Sequence, residues 1–269
     1  FYPWIPFLNR FARYILIMWA LIERCPNGSR KDDDMISGNT HLRIIHTNDI
    51  HSHFEQIPNI AAAIKALKAP FQQDHVLILD IGDHMDRMSS VTEGSAGLAN
   101  IDVMNQIGYE LVVLGNNEGL TFTSDQLCEL YSEHAQFDVL GANMFDKETG
   151  ALPDWIAPYR IVHKAGVKIG VIGVTIDFIL FYELLGWELR DPVQIVERWV
   201  THLRNQVDLI VVMSHLGINR DREMANQIKG IDLILGGHTH HLLETPERIK
   251  DTIVCAAGRF GTHVGYVDI

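Results

Sequence analysis

Thr47-Asn48-Asp49-Ile50-His51-Ser52-His53 is the stretch on which the reading of this chain turns. It follows an apolar run, Leu42-Arg43-Ile44-Ile45, of the kind that forms a buried strand. An Asp and a His two residues apart at a strand end send a carboxylate and an imidazole to the same side of the turn. The arrangement recurs at residues 76–83, 111–117, 209–215 and 233–240: a β-branched apolar run, then an abrupt cluster of Asp, Asn, His and Gly. Strands that end again and again in ligand residues describe a metal site assembled along one edge of a sheet. The candidate ligands are Asp49, His51, Asp83, Asn116, His215, His238 and His240. Turn formation and capping explain Asp and Asn at strand ends, but not the histidines.

The donor types narrow the metal. Asp and His with one Asn suit Zn, Mn or Fe and fit poorly with an all-oxygen Mg or Ca cage. These seven donors exceed one tetrahedral site but suffice for two divalent ions that share a carboxylate. Two such ions, about 3.5–4 Å apart, can activate water and polarise a phosphoryl oxygen.

Outward from the clusters, the chain alternates strand and helix. Pro58 opens a helix to Lys68, residues 97–107 form a second closed by Gly108, and residues 124–134 a third. Asp191 caps a fourth, with Pro192 in its first turn and Gln194 three residues after the cap, expected to run to about Asn205. Strands are expected at 76–80, 111–114, 137–140, 209–213, 231–235, 252–257 and 263–269. Residues 159–174 read as a β-hairpin turning at Lys164-Ala165-Gly166, an antiparallel insertion in an α/β chain.

With 269 residues, the chain has room for one large α/β domain. Its 47% hydrophobic content is enough for a buried core, which excludes disorder of the whole. A net charge of −12 argues against a nucleic acid polymer as partner and leaves a small anionic substrate open, since metal ions invert the local field. Cys25, Cys128 and Cys255 are scattered and odd in number, so no disulfide framework is expected and ligation falls to imidazole and carboxylate.

Residues 1–40 read as an N-terminal extension and linker, with the catalytic domain at 41–269. The apolar run at 14–22 is too short for a stable membrane span, which needs about 20 residues, and lacks a small-residue cleavage pattern. The expected compartment is the cytoplasm; export or anchoring through that run is the alternative. The chain stops on Val267-Asp268-Ile269, which reads as truncation. Oligomeric state leaves no trace in the sequence.

Asp49-Ile50-His51, Gly82-Asp83, Gly115-Asn116-Asn117-Glu118, Ser214-His215 and Gly237-His238-Thr239-His240 follow the order and approximate spacing of the metallophosphoesterase superfamily. Ile45-His46-Thr47-Asn48-Asp49 resembles its 5′-nucleotidase branch, which includes UDP-sugar hydrolases and cyclic-nucleotide phosphodiesterases. The resemblance covers residues 42 to 269. It implies two facing mixed β-sheets flanked by helices in four layers. It also implies one ion on Asp49, His51, Asp83 and His240 and another on Asp83, Asn116, His215 and His238. A hydroxide bridging the two would attack phosphorus in line with the departing oxygen, with Asn116 near a phosphate oxygen. The substrate implied is a nucleotide-like small molecule carrying a phosphate ester or pyrophosphate bond. The C-terminal domain that recognises the base in the resembled nucleotidases is expected to be absent.

The chain departs from that pattern at two places. Asn117 stands where the family has His, and Leu120 where it has Asp. An Asn donates a hydrogen bond to a phosphoryl oxygen but delivers no proton. Either the substrate has a good leaving group, or His84 or Asp86 in Gly82-Asp-His-Met-Asp-Arg87 supplies the missing function; the competing reading is a weak or inactive metal-binding sensor. Arg87 is a candidate for phosphate binding or for a salt bridge with Asp86, and Asn116 and Asn117 for contact with substrate. His46 and His53 are read as partners that orient the ligands or as plain turn residues, and Glu118 as a ligand-supporting or surface carboxylate.

Overall fold

The structure is a computed structural model that describes residues 42–269. The extension and linker at 1–40, its apolar run included, lie outside the described residues. In chain order the first half holds β1 (Arg43–Thr47), α1 (Ile57–Lys68), β2 (Val76–Asp80), α2 (Ser90–Gly94), α3 (Leu98–Ile107) and β3 (Leu111–Val113). Then come α4 (Asn116–Thr121), α5 (Ser124–His134), β4 (Asp138–Leu140), β5 (Met144–Asp146) and β6 (Ile156–Ala157). The second half holds β7 (Tyr159–Lys164), β8 (Val167–Thr175), α6 (Ile179–Glu183), β9 (Trp187–Leu189), α7 (Pro192–Leu203) and β10 (Leu209–His215). It closes with α8 (Ile218–Gln227), β11 (Leu233–Gly236), β12 (Glu247–Ile249), β13 (Thr252–Ala256) and β14 (Gly265–Asp268).

Two six-stranded sheets, ordered β14-β1-β2-β3-β4-β6 and β12-β13-β11-β10-β8-β7, carry the fold, with β5-β9 a small separate ribbon. Strand alternation explains the layering. Ile44, Leu77, Leu79, Leu111 and Val113 of the first sheet meet Val171, Leu209, Val211, Met213, Leu233 and Leu235 of the second in one apolar layer. Their neighbours Ile45, Ile78 and Val112 face the other way, onto α1, α3 and α5. Ile210, Val212 and Ile234 likewise face α7 and α8. The result is helix, sheet, sheet, helix.

Each sheet is parallel at its centre, β1 against β2 and β10 against β11, so the carboxyl ends of these strands come together. β14 is antiparallel to β1, and the Arg43–Asp268 ion pair bridges the two strands. The last strand is shorter than the expected 263–269, because residues before Gly265 belong to a turn beside the ligand loops. The fourth helix ends at Leu203, where Arg204 turns its guanidinium onto Asp232 and nearby carbonyls. The strand expected from Ile231 begins at Leu233, the Asp232 carboxylate being taken by Arg204 and the Ile210 N–H. No helix among the described residues is long and apolar enough to cross a membrane.

Candidate metal centre

The ligand loops leave the strands at once, and the parallel ladder continues into them. Ile81 N–H donates to the Thr47 carbonyl, Asp49 N–H to Gly82, His51 N–H to Asp83 and Ser52 N–H to His84, all at 2.8–2.9 Å. These bonds hold backbone that an L-residue resists. Asp49, His51, Asp83, His238 and His240 all have positive φ, between 50° and 73°. Such conformations gather at functional sites, where surrounding structure over-determines them. Glycine takes the closest approach: at Gly82 (φ +92°) a Cβ would lie 2.6 Å from the Gly115 nitrogen, and at Gly115 it would collide with the Asp83 carboxylate.

Two groups of donors result, Asp49, His51 and His240 on one side and Asp83, His215 and His238 on the other, with ligand atoms within 4.8 Å of one another in each. In the first group His51 Nε2 lies 3.0 Å from His240 Nε2, and Asp49 Oδ1 is 3.7 Å and 3.4 Å from those two atoms. In the second, Asp83 Oδ2 is 3.3 Å from His215 Nε2. The same oxygen is 3.8 Å from His51 Nε2, so one carboxylate faces both groups. Asn116, at the start of α4, brings Oδ1 to 2.7 Å from His238 Nδ1.

The donor chemistry fits cations. His215 is fully buried, its Nδ1 is 2.7 Å from the Ile81 carbonyl, and its Nε2 has no hydrogen-bond partner. A backbone carbonyl holding Nδ1–H leaves Nε2 facing the Asp83 oxygen, where it carries a proton or, once that proton leaves, offers its lone pair to a cation, the usual orientation of a metal-binding histidine. Charge follows the same logic. Burial would lower His215, but the Asp83 carboxylate, with Asp49 and the Ile81 carbonyl behind it, outweighs burial and holds the imidazole well above its ordinary range. Burial would raise Asp83, but His215, the Asn117 N–H and His51 together outweigh it and hold the carboxyl far below its ordinary value. For His51 and His238 burial wins, and both are lowered.

Supporting residues complete the site, and two of them carry more than sequence alone suggests. Glu118 is buried; its carboxylate accepts N–H bonds from Asp83 (3.1 Å), Met85 (2.7 Å) and Gly115 (2.8 Å), tying the second and third ligand loops together. Burial, with the Asp83 charge next, pushes its pKa up to about 7. Asn48 donates to Asp49 Oδ2 and to the Gly258 carbonyl, and accepts from Ala257 N–H. The Gly115-x-x-Glu118 spacing carries a helix-start signal for the first; nothing local marks the second.

The remaining candidates are scattered. Asn117 gives its backbone N–H to Asp83 Oδ1 (2.7 Å) and its amide to Asp83 Oδ2 (2.8 Å), and Leu120 packs against the core. His84 is buried beside Asn100 and Tyr109, with burial lowering its pKa to about 3; its hydrogen-bond and ring contacts do not reach either donor group. Asp86 Oδ2 lies 3.9 Å from His51 Nδ1. Arg87 is exposed and, among the described residues, forms no salt bridge with Asp86. His46 is buried with both ring nitrogens unpartnered, and its pKa falls to about 4; His53 pairs with Glu55 instead. Asp80 bonds Thr47 and the Gly82 N–H.

The chain is similar to known proteins over most of its described length. Residues 42–242 match the family described as calcineurin-like phosphoesterase. A Bacillus subtilis protein named uncharacterized metallophosphoesterase YunD is 41% identical over 85% of this chain and 50% of its own. A probable 5′-nucleotidase of Treponema pallidum is 30% identical over 88% of this chain and 42% of its own. The 5′-nucleotidase precursor of Thermus thermophilus superposes with a TM-score of 0.73 at 25% identity, over 85% of this chain and 51% of that one. The chain spans half or less of the length of these curated relatives.

Proposed function

The chain belongs to the calcineurin-like phosphoesterase family, and from that premise we propose that it is a metal-dependent hydrolase of a phosphate ester or pyrophosphate bond in a nucleotide-like small molecule. The observation that carries this reading is Asp83 Oδ2, which faces His215 on one side and His51 on the other. Asp49, His51, Asp83 and His240 would hold one divalent ion; Asp83, Asn116, His215 and His238 would hold the second. Bound there, two Mn, Zn or Fe ions supply an activated water and neutralise charge on the phosphoryl group.

The protein's own share is orientation. Asn117 holds the Asp83 carboxylate by both its main-chain and side-chain N–H groups, Ile81 fixes the His215 tautomer, and Glu118 clamps the loops that deliver Asp83 and Asn116. An amide committed to Asp83 delivers no proton to a departing oxygen, which favours substrates with good leaving groups. The relatives named 5′-nucleotidase support a nucleotide as substrate. The free thiols of Cys128 and Cys255 are compatible with a reducing compartment, and the cytoplasm is the location proposed.

The test is a panel of nucleoside monophosphates, nucleoside diphosphate esters and aryl phosphodiesters, with Mn or Zn added. Metal-dependent turnover of at least one member is expected. Protein that takes up two ions and turns over none would support the second reading, a metal-binding sensor, which the commitment of Asn117 to Asp83 favours.

A further inference from the structure

Between β13 and β14 the chain makes a turn in which Gly258, Phe260 and Gly261 have φ of +80°, +59° and +65°. The turn is bolted to both loops that carry the more open donor group. Asn48 takes its Ala257 N–H and gives an N–H to its Gly258 carbonyl, and the Asp49 carbonyl takes the Phe260 N–H at 2.7 Å. On the other side Gly258 N–H reaches the His241 carbonyl. The Phe260 ring stands edge-on to His51 and tilted against His240, with centroids 5.7 Å and 5.9 Å away. A non-glycine residue in this backbone region is uncommon, and here it fixes what its neighbour presents.

That neighbour is Arg259. It is exposed, its guanidinium lies 4.6 Å over the Phe260 ring, and Nη1 is 3.3 Å from His240 Nδ1. Arg43, Arg160, Arg204 and Arg222 each have a carboxylate partner; Arg259 has none among the described residues. Its contact with His240 also depends on the tautomer. His240 Nε2 faces Asp49 and His51, and an imidazole that offers this nitrogen to a cation carries its proton on Nδ1. Nδ1–H and a guanidinium are both donors, so the arginine is left needing another acceptor.

We propose that Arg259 binds the substrate's anion, donating to a phosphate oxygen at the rim of the Asp49–His51–His240 group. Guanidinium forks suit phosphate oxygens, and the clamped turn keeps this one beside the site. The inference rests on the hydrolase reading and names the group that would hold the phosphate in place. The acceptor is either the reacting phosphate or the adjacent one of a diphosphate.

The experiment uses Mn-loaded wild-type protein, Arg259→Met and Arg259→Lys, with metal content measured on each and inorganic phosphate and pyrophosphate titrated by calorimetry. Binding in Arg259→Met is expected to weaken about tenfold or more at unchanged metal content, with partial recovery in Arg259→Lys. Weakening of both anions assigns the contact to the reacting phosphate; weakening of pyrophosphate alone assigns it to the adjacent one. Affinities within twofold of wild type for both anions overturn the proposal. So does a fall in metal content, which would make Arg259 a support for His240, or a wild-type protein that binds neither anion. Wild-type protein that binds phosphate yet hydrolyses nothing sinks the hydrolase reading and leaves the Arg259 result standing.

Discussion

Asp83 and His215 stand at the junction of the two sheets with side chains 2% and 0% exposed, while His51 and His240 stand at its mouth at 10% and 28%. Both groups use the same residue types, but they are supported differently. In the inner group a main-chain carbonyl orients His215 and three N–H bonds through Glu118 fix the loops beside it. In the outer group the second ring nitrogens meet only side chains: His51 Nδ1 faces the Asn117 amide at 3.4 Å, and His240 Nδ1 faces Arg259. Groups tied to backbone lose little freedom when they bind, whereas side-chain neighbours can turn away. Asp49 is the exception, taking the His238 N–H, so the contrast rests on the histidines, and the inner group is expected to hold a cation more firmly than the outer one.

The harshest way to break this contrast is to remove what the two groups share. Asp83→Ala is expected to lower the content of both ions and to reduce hydrolysis of an aryl phosphate by about 10³-fold, roughly 4 kcal/mol of transition-state stabilisation. Loss of one ion alone, read by elemental analysis, would mean that the carboxylate serves a single group.

Asn117→His sharpens the comparison at the boundary between the groups. It should raise turnover of an alkyl phosphate by about 10²-fold, the low end for general acid catalysis, and change an aryl phosphate little. Equal gains on both substrates would point to repositioning of Asp83 instead.

Proton competition should separate the groups further. Asp83 holds His215 above its ordinary range, so in metal-free protein the imidazole keeps a proton through neutral pH and an incoming cation must displace it. Affinity of the inner group should then rise about tenfold per pH unit between pH 6 and 8. His51 is lowered and already neutral over most of this window, so the outer group should show a shallower slope in the same calorimetric titrations. Parallel slopes would dissolve the distinction.

The smallest effect is expected from Glu118→Gln. An amide sets its NH₂ against at least one of three N–H donors, at a cost of about 1–3 kcal/mol. Thermal unfolding should fall by a few degrees for each kcal/mol, with the inner ion bound more weakly and the outer one little changed. An unaltered melting point would show the three bonds to be dispensable.

The strands of both sheets that bear ligands could be read from their apolar runs because burial on both faces leaves a continuous hydrophobic signature. The ribbon of β5 and β9 could not: Met144-Phe-Asp146 and Trp187-Glu-Leu189 are short, and they pair across more than forty residues. Nor could α8, where a polar sequence buries Ile218, Asp221, Met224 and Ala225 against the second sheet. α4 escaped because it starts on two asparagines, poor helix formers placed there by the site.

What the chain's own order determined was the set of donors and the strand ends that deliver them, since residue chemistry and hydrophobic periodicity are local properties. Only the tertiary structure decided which oxygen faces two histidines, which imidazole nitrogen is left open, and that Asn48 grips a turn 210 residues away. Those outcomes depend on left-handed backbone at Asp49, His51, Asp83, His238 and His240, which costs about 1–2 kcal/mol per residue and persists where distant segments pack against it. No window of neighbouring residues contains the segments that do the packing.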